Sequence, residues 1–129
     1  GPSDPRDVEL LLSKARHKRL TDVKTLLDAG VGVDSQDEQG NTMLIVACQN
    51  NHRKVAKEAL RRNCNVNHQN LRGHTCLHFC FAYKYDSLGH YLIEKGADPA
   101  IVNMYGRTCF QGLAEFRKSE PQTPVKSPK

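Results

Sequence analysis

Apolar residues along this chain follow a helical spacing that itself repeats every 33 residues. The step of 33 joins the apolar positions Leu27, Leu60 and Ile93. Glycine shares the period, since Gly40 is followed by Gly73 and then by Gly106. A fixed period of this length is typical of a solenoid built from one supersecondary unit, and such a fold usually presents a surface to a partner.

The pattern inside each unit predicts two helices. Apolar runs predict an inner helix over 43–50, 76–83 and 109–116. A second apolar pattern, spaced by three to five residues, predicts an outer helix that ends at Gly30, Asn63 or Gly96, residue types that readily adopt the left-handed conformation. Because the inner helices are too short to be stable alone in water, packing between units must hold them.

A tight turn precedes each inner helix, at residues 37–40, 70–73 and 103–106. Each turn begins with Asp or Asn, whose side chain bonds the backbone two residues on, and ends with a glycine that tolerates positive φ. Two residues later a threonine is positioned to cap the inner helix. The sequence therefore predicts a unit of helix, turn, helix and hairpin-like loop, with the loop tips projecting in a row.

Two of these runs resemble a known signature. GNTMLIVA at 40–47 and GHTCLHFC at 73–80 are similar to the Gly-x-Thr-Pro-Leu-His-x-Ala sequence of ankyrin repeats, and LIEKGAD at 92–98 resembles the family's helix exit. The resemblance implies an all-α ankyrin-repeat solenoid of helix-turn-helix units joined by β-hairpin-like loops. The chain departs from the signature at the proline, replaced by Met43, Cys76 and Cys109, and keeps the motif histidine only as His78.

The resemblance divides the chain into a repeat domain and two ends. The domain spans about residues 4–118, with repeats of about 4–36, 37–69 and 70–102 and a partial one at 103–118. Residues 1–3 look like the remnant of a cleaved tag, and 119–129 form a basic, proline-rich tail that we expect to be disordered. Prolines in this tail exclude a further helix, so the stack is expected to end on half a unit.

Composition narrows the class of protein. No apolar run approaches the roughly 18 residues of a membrane helix, and the start of the chain lacks a signal-peptide pattern, so we expect a soluble protein of the cytoplasm or nucleus. The five cysteines are odd in number and fall within the repeat, which favours reduced thiols. The net charge is +5, and much of it belongs to the tail from Arg117 onward.

Candidate chemistry is sparse. The spacing of His74, Cys76, His78 and Cys80 suggests a metal site, but on a helix the cysteines and the histidines lie on opposite faces and do not converge on one ion. The sequence has no phosphate-binding loop, nucleophile elbow or isolated carboxylate pair. We therefore expect no enzyme activity, no metal and no cofactor.

The resemblance implies a non-catalytic protein-protein interaction module, a scaffold or adaptor domain of a larger intracellular protein. Partners of the family usually lie across the hairpin tips and the exposed, concave side of the inner helices. By position, that surface comprises Gln36, Glu38, Gln39, Asn41, Gln49, Asn50, Gln69, Leu71, Arg72, His74, Tyr83, Met104, Tyr105, Arg107 and Phe116. Aromatic, Met and Arg residues dominate binding hot spots, so the later half of the stack is favoured.

Two other functions remain open from the sequence. Basic clusters at residues 14–19 and 53–62, with the basic tail, favour binding to nucleic acid or another anionic surface, although such runs more often form a solvated face. The half unit at the end of the stack suggests a structural, self-associating module. We expect the protein to be a monomer or to associate weakly through its C-terminal end. Thr123 and Ser127 each precede proline and are possible phosphorylation sites.

Overall fold

The computed structural model describes residues 2–114 of the 129-residue chain, and within this range it contains six helices and no strand. The helices are α1 (Pro5–Arg16), α2 (Leu20–Asp28), α3 (Met43–Gln49), α4 (Arg53–Arg61), α5 (Cys76–Ala82) and α6 (Asp86–Glu94). They pack as successive pairs, α1 with α2, α3 with α4 and α5 with α6. The predicted all-α solenoid is confirmed.

The pairs stack into two layers. Helices α1, α3 and α5 form an inner row, and α2, α4 and α6 form an outer row. The inner helices pack more extensively on one another than α2 does on α4. Helix α3 lies between two neighbours, and all of its residues from Met43 to Cys48 are buried. A helix that is apolar on every side is stable only inside such a stack.

Side-chain caps fix where the helices begin. Asp4 accepts a 2.8 Å hydrogen bond from the amide of Arg6, and Pro5 follows as the first helical residue. The hydroxyl of Thr42 accepts a bond from the amide of Ile45 at the start of α3. The predicted start of α3 is therefore confirmed, and α1 is the first helix that the structure describes.

Polar side chains join the loops of adjacent units. The carboxylate of Asp34 accepts hydrogen bonds from the amide of Asn65, at 3.0 and 3.1 Å. One unit later Asn67 accepts a 2.8 Å bond from the amide of Asp98. Because Asn67 lies 33 residues after Asp34, one hydrogen bond is repeated with the period of the sequence.

A buried carboxylate connects the outer helices. Glu58 is only 3% exposed, and its two oxygens accept bonds from Arg61 at 3.3 Å and from Arg62 at 2.8 Å. Arg62 also forms a 2.8 Å ion pair with Asp28 in the preceding unit. These carboxylates raise the pKa of Arg62. A buried charge is tolerated when it is paired and hydrogen-bonded, as it is here.

The last unit departs from the prediction. We predicted a helix over 109–116, but the structure has only turns in the described part of this range, 109–114. The first turn starts with the amide of Gln111 bonded to the carbonyl of Thr108, and then Gly112 adopts a φ of 108°, which no helix continues through. The amide side chain of Asn103 bonds the freed carbonyl of Leu113 at 3.2 Å. The helix prediction for 109–114 is wrong.

Asn63 tests the predicted helix exit, since it follows α4 with a φ of 60°. Asn63→Gly should leave stability unchanged or raise it slightly, because glycine adopts this conformation without strain. Asn63→Val should lower the free energy of unfolding by about 1 kcal/mol or more, because a β-branched residue is strained there. Urea denaturation measures both changes, and equal midpoints for the two variants would contradict the assignment.

Candidate functional site

The hairpin tips owe their shape to one side chain each. Oδ1 of Asp37 accepts 2.9 Å hydrogen bonds from the amides of both Gln39 and Asn41. Asn70 and Asn103 accept the equivalent pairs of bonds in the next two tips, at 2.9 to 3.0 Å. The repeated Asp or Asn therefore builds the same turn three times, as the sequence predicted.

The tips are also bonded to one another. The amide of Leu71 donates to the carbonyl of Gln39 at 3.0 Å, and the amide of Met104 donates to the carbonyl of Arg72 at 2.9 Å. The tip glycines permit this approach, because a carbon added at Gly73 would lie 2.7 Å from the backbone nitrogen of Met104. The three tips therefore form one connected row of fixed geometry.

The exposed apolar residues of the tips lie in the second half of the stack. Leu71 is 72% exposed and Met104 is 63% exposed, at equivalent positions of adjacent tips. Tyr83, at the end of α5, is also exposed and stacks near Phe79, with ring centroids 6.1 Å apart. These side chains contribute little to the core, which leaves them free for contact with another molecule.

The polar side chains of these tips are bonded within the protein. The guanidinium of Arg72 donates a 2.8 Å hydrogen bond to the hydroxyl of Tyr105, and Arg107 donates to the carbonyl of Gln111 at 2.8 Å. These bonds join the second tip to the third and hold the turn after it, so all three side chains also serve the structure of the stack.

Two residues of the predicted partner surface are buried. Asn41 is 7% exposed, and its side-chain oxygen accepts a 2.9 Å bond from the side chain of Asn70. His74 is 5% exposed and lies against the ring of Phe79, with Nδ1 3.2 Å from the side-chain nitrogen of Asn103. Both residues connect adjacent tips, so their assignment to the exposed surface is corrected.

The other predicted surface residues divide by exposure. The exposed ones are Gln36, Glu38, Gln39, Gln69, Leu71, Arg72, Tyr83 and Met104. The half-buried ones are Gln49, Asn50, Tyr105 and Arg107. Gln69 also bonds the carbonyls of Gly73 and Val102, which braces the second tip against the third. Phe116, Thr123, Ser127 and the basic tail lie outside the described residues.

Comparison with known proteins decides the family. The family model described as "Ankyrin repeats (3 copies)" matches residues 10–103. The chain belongs to the ankyrin repeat family. Ankyrin repeats generally act as protein-protein interaction modules and are generally non-catalytic.

Relatives within the family are similar over the repeat region. The chain is 36% identical over 90 residues to the ankyrin repeat protein OPG189 of variola virus, covering 68% of this chain and 16% of that protein. It is 29% identical over 108 residues to human SH3 and multiple ankyrin repeat domains protein 2, covering 78% and 6%. Mouse NF-kappa-B inhibitor alpha is 32% identical over 82 residues, covering 58% and 26%. The chain thus spans only a small part of each of these relatives.

The ankyrin motif histidine, His78, joins the third repeat to the one that follows it. Nδ1 of His78 accepts a 3.0 Å bond from the amide of Thr75, so the proton lies on Nε2, which donates to the carbonyl of Arg107 at 2.8 Å. Burial lowers the pKa of His78, and the bond to Arg107 raises it in part. In the next repeat Gln111 replaces the histidine, since its side-chain oxygen accepts from the amide of Thr108.

The side chains of the suggested metal site serve the core of the ankyrin stack. Cys76 donates a 3.4 Å bond to the carbonyl of Val66, and both nitrogens of His78 are bonded as described. Within residues 2–114, no group of three or more His, Cys, Asp or Glu side chains is arranged to hold a metal ion. Burial raises the pKa of Cys48, and it raises the pKa of Cys109 to about 11.

A cleft that the sequence pattern did not predict lies at the other end of the ankyrin stack. A cleft of about 600 Å³ lies between α1 and the first tip. Its walls include Gln36, Glu38 and Gln39 of the predicted surface, together with Pro5, Arg6, Val8, Glu9, Leu12, Arg16 and Asp37. The available signal in the sequence was the spacing of Pro5, Glu9, Leu12 and Arg16 by three or four residues, which places these positions on one face of α1.

No helix of this ankyrin chain between residues 2 and 114 is both long enough and apolar enough to cross a membrane.

The buried histidines predict a pH dependence of stability. Burial, with the charges of His78 and Arg72, lowers the pKa of His74 from 6.5 to about 4. The unfolded chain therefore binds more protons, so the free energy of unfolding should fall as the pH drops from about 6.5 towards 4. His74→Asn should reduce the loss of melting temperature between about pH 7 and pH 5.

The exposed His17 provides the control for this measurement. His17→Asn should retain the acid sensitivity of the unmodified protein. If His74→Asn loses as much melting temperature on acidification as His17→Asn does, His74 does not cause the effect.

Proposed function

We propose that this ankyrin domain is a non-catalytic adaptor that binds a segment of a partner protein across its second and third tips and the exposed side of α5. The observation that carries the proposal is the exposure of Leu71 and Met104, at 72% and 63%, on tips that are hydrogen-bonded to each other. Arg72 and Tyr105 border these two residues. Tyr83 extends the surface towards α5.

A surface that is already ordered lowers the entropic cost of binding a partner. Association requires ordering of the surface, and a surface held by backbone bonds before the partner arrives needs little further ordering. Large apolar side chains beside Tyr and Arg supply the area and the directed bonds that dominate interface energies. The partner is therefore expected to present apolar side chains to Leu71 and Met104 and a hydrogen-bond acceptor near Arg72.

The family and its relatives support the general role. Ankyrin repeats generally bind proteins, and the relatives include a protein whose name is NF-kappa-B inhibitor alpha. We place this chain in a larger intracellular protein of the cytoplasm or nucleus, with Thr123 and Ser127 as candidate phosphorylation sites.

Self-association is a second candidate because of the C-terminal end of the stack. Phe110 is 61% exposed and lies against Phe81, with ring centroids 4.8 Å apart. An exposed aromatic pair of this kind gives at most a weak contact between two copies, because its area is far below that of a stable interface. We therefore propose a monomer with weak association through this end at high concentration.

The test of the main proposal uses proteins captured from native extract. Leu71→Ser with Met104→Ser should abolish capture of the partner or weaken its affinity by about tenfold or more. The same change should alter the free energy of unfolding by no more than about 0.5 kcal/mol, because both side chains are exposed. Mass spectrometry identifies the captured proteins, and calorimetry measures affinity for the purified partner.

Leu10→Ser is the matched control, since Leu10 is an exposed leucine of α1 away from the tips. It should capture the same proteins as the unmodified domain. Unchanged affinity in the double variant, or an equal loss in the control, would contradict binding through the second and third tips.

A further inference from the structure

Three positive charges converge on one tyrosine of the outer layer, away from the tips. The guanidinium carbon of Arg53 lies 4.9 Å from the centroid of the Tyr91 ring. The ammonium nitrogens of Lys57 and Lys95 lie 5.5 and 5.6 Å from the same centroid. Such distances are within the range of cation-π contacts, so the ring organises the three side chains into one cluster.

The helical repeat places these residues together. Arg53 and Lys57 lie one turn apart on α4, and Ser87, Tyr91 and Lys95 are spaced by four residues along α6 and its end. Arg53 donates a 2.7 Å hydrogen bond to the hydroxyl of Ser87, which joins α4 to α6. The site is therefore formed by adjacent repeats and held by contacts between them.

The charges of this cluster are not neutralised in the part of the chain that the structure describes. Several other basic residues of the stack have acidic partners: Arg61 and Arg62 pair with Glu58, and Lys14 and Arg19 pair with Asp22. No ion pair among residues 2–114 includes Arg53, Lys57 or Lys95. Within the basic cluster predicted at 53–62, Arg61 and Arg62 thus form ion pairs, whereas Arg53 and Lys57 do not. All three charges lie within 5.6 Å of one ring centroid, and like charges that share a small region repel one another, so an anion bound there would be attracted.

We propose that Arg53, Lys57 and Lys95 form a binding site for a phosphomonoester carried by a protein segment, with the hydroxyl of Ser87 at its edge. A phosphomonoester carries close to two negative charges at neutral pH and offers three acceptor oxygens, which matches three cationic donors better than a single carboxylate does. Arg53 can donate two parallel bonds to such a group, and the lysines supply point charges beside it. This site is separate from the tips, so one domain can contact a partner at two places.

The chemistry of the ring argues against a nucleic acid at this site. Single strands bind where successive bases stack on aromatic faces, whereas the face of Tyr91 is occupied by cations. A compact anion needs only the charges and hydroxyls at the rim of the cluster. The phosphoprotein segment is therefore the ligand that the geometry favours.

The test is a titration of the full chain, labelled with nitrogen-15, with a short end-capped alanine peptide that carries one phosphoserine. We expect saturable amide shifts on α4 and α6. Lys57→Gln with Lys95→Gln should weaken binding by about tenfold or more, because two of the three charges are lost. Both lysines are exposed, so the melting temperature should not change.

Lys24→Gln with Lys54→Gln is the matched control, because it removes the same charge from exposed lysines that do not contact Tyr91. This control should weaken binding by less than about twofold. An equal loss in both double variants would overturn the proposal, as would the absence of saturable shifts. It would also be overturned if the same peptide with glutamate in place of phosphoserine, a single-stranded oligonucleotide or a vesicle of anionic lipid bound the cluster as tightly.

Discussion

Contact between neighbouring repeats is the constraint on which the rest of this structure depends. No pair of helices has a core of its own, and the inner helix α3 is buried because α1 and α5 lie on either side of it. Short helices that cannot persist alone in water are stable here because each apolar face meets the next unit. The 33-residue period of the sequence reflects the need of each unit to pack on the next.

Hydrogen bonds between polar groups also fix how neighbouring repeats are oriented on one another. The bonds from Asn65 to Asp34 and from Asp98 to Asn67 fix the loops, and the buried Glu58 fixes the outer helices through Arg62. At the tips, backbone bonds between units set the distance from one turn to the next. A surface built on these contacts is ordered before any partner arrives, which is how the requirements of folding prepare a site for binding.

Much of this arrangement could be predicted from the sequence, and the failures have physical causes. The period, the helix caps and the positive φ of Asn63 follow from local chemistry, so they were predicted. The burial of His74 was not, because Asn103, which lies against its ring, comes from a tip 29 residues away. The helix predicted over 109–116 depended on an apolar pattern that Gly112 interrupts. The arrangement of Arg53 and Lys57 around Tyr91 also depends on a contact between repeats, which no local pattern contains.

Amide hydrogen exchange tests the central claim most directly, since the account requires the tips to be a rigid part of the stack. The amides of Leu71 and Met104 donate the bonds between tips, at 3.0 and 2.9 Å. We expect both to exchange at least about a hundredfold more slowly than in an unstructured peptide, with protection that falls together with that of the core. Exchange of these two amides at the unprotected rate, while the helices stay protected, would show that the tips move independently and would contradict the account.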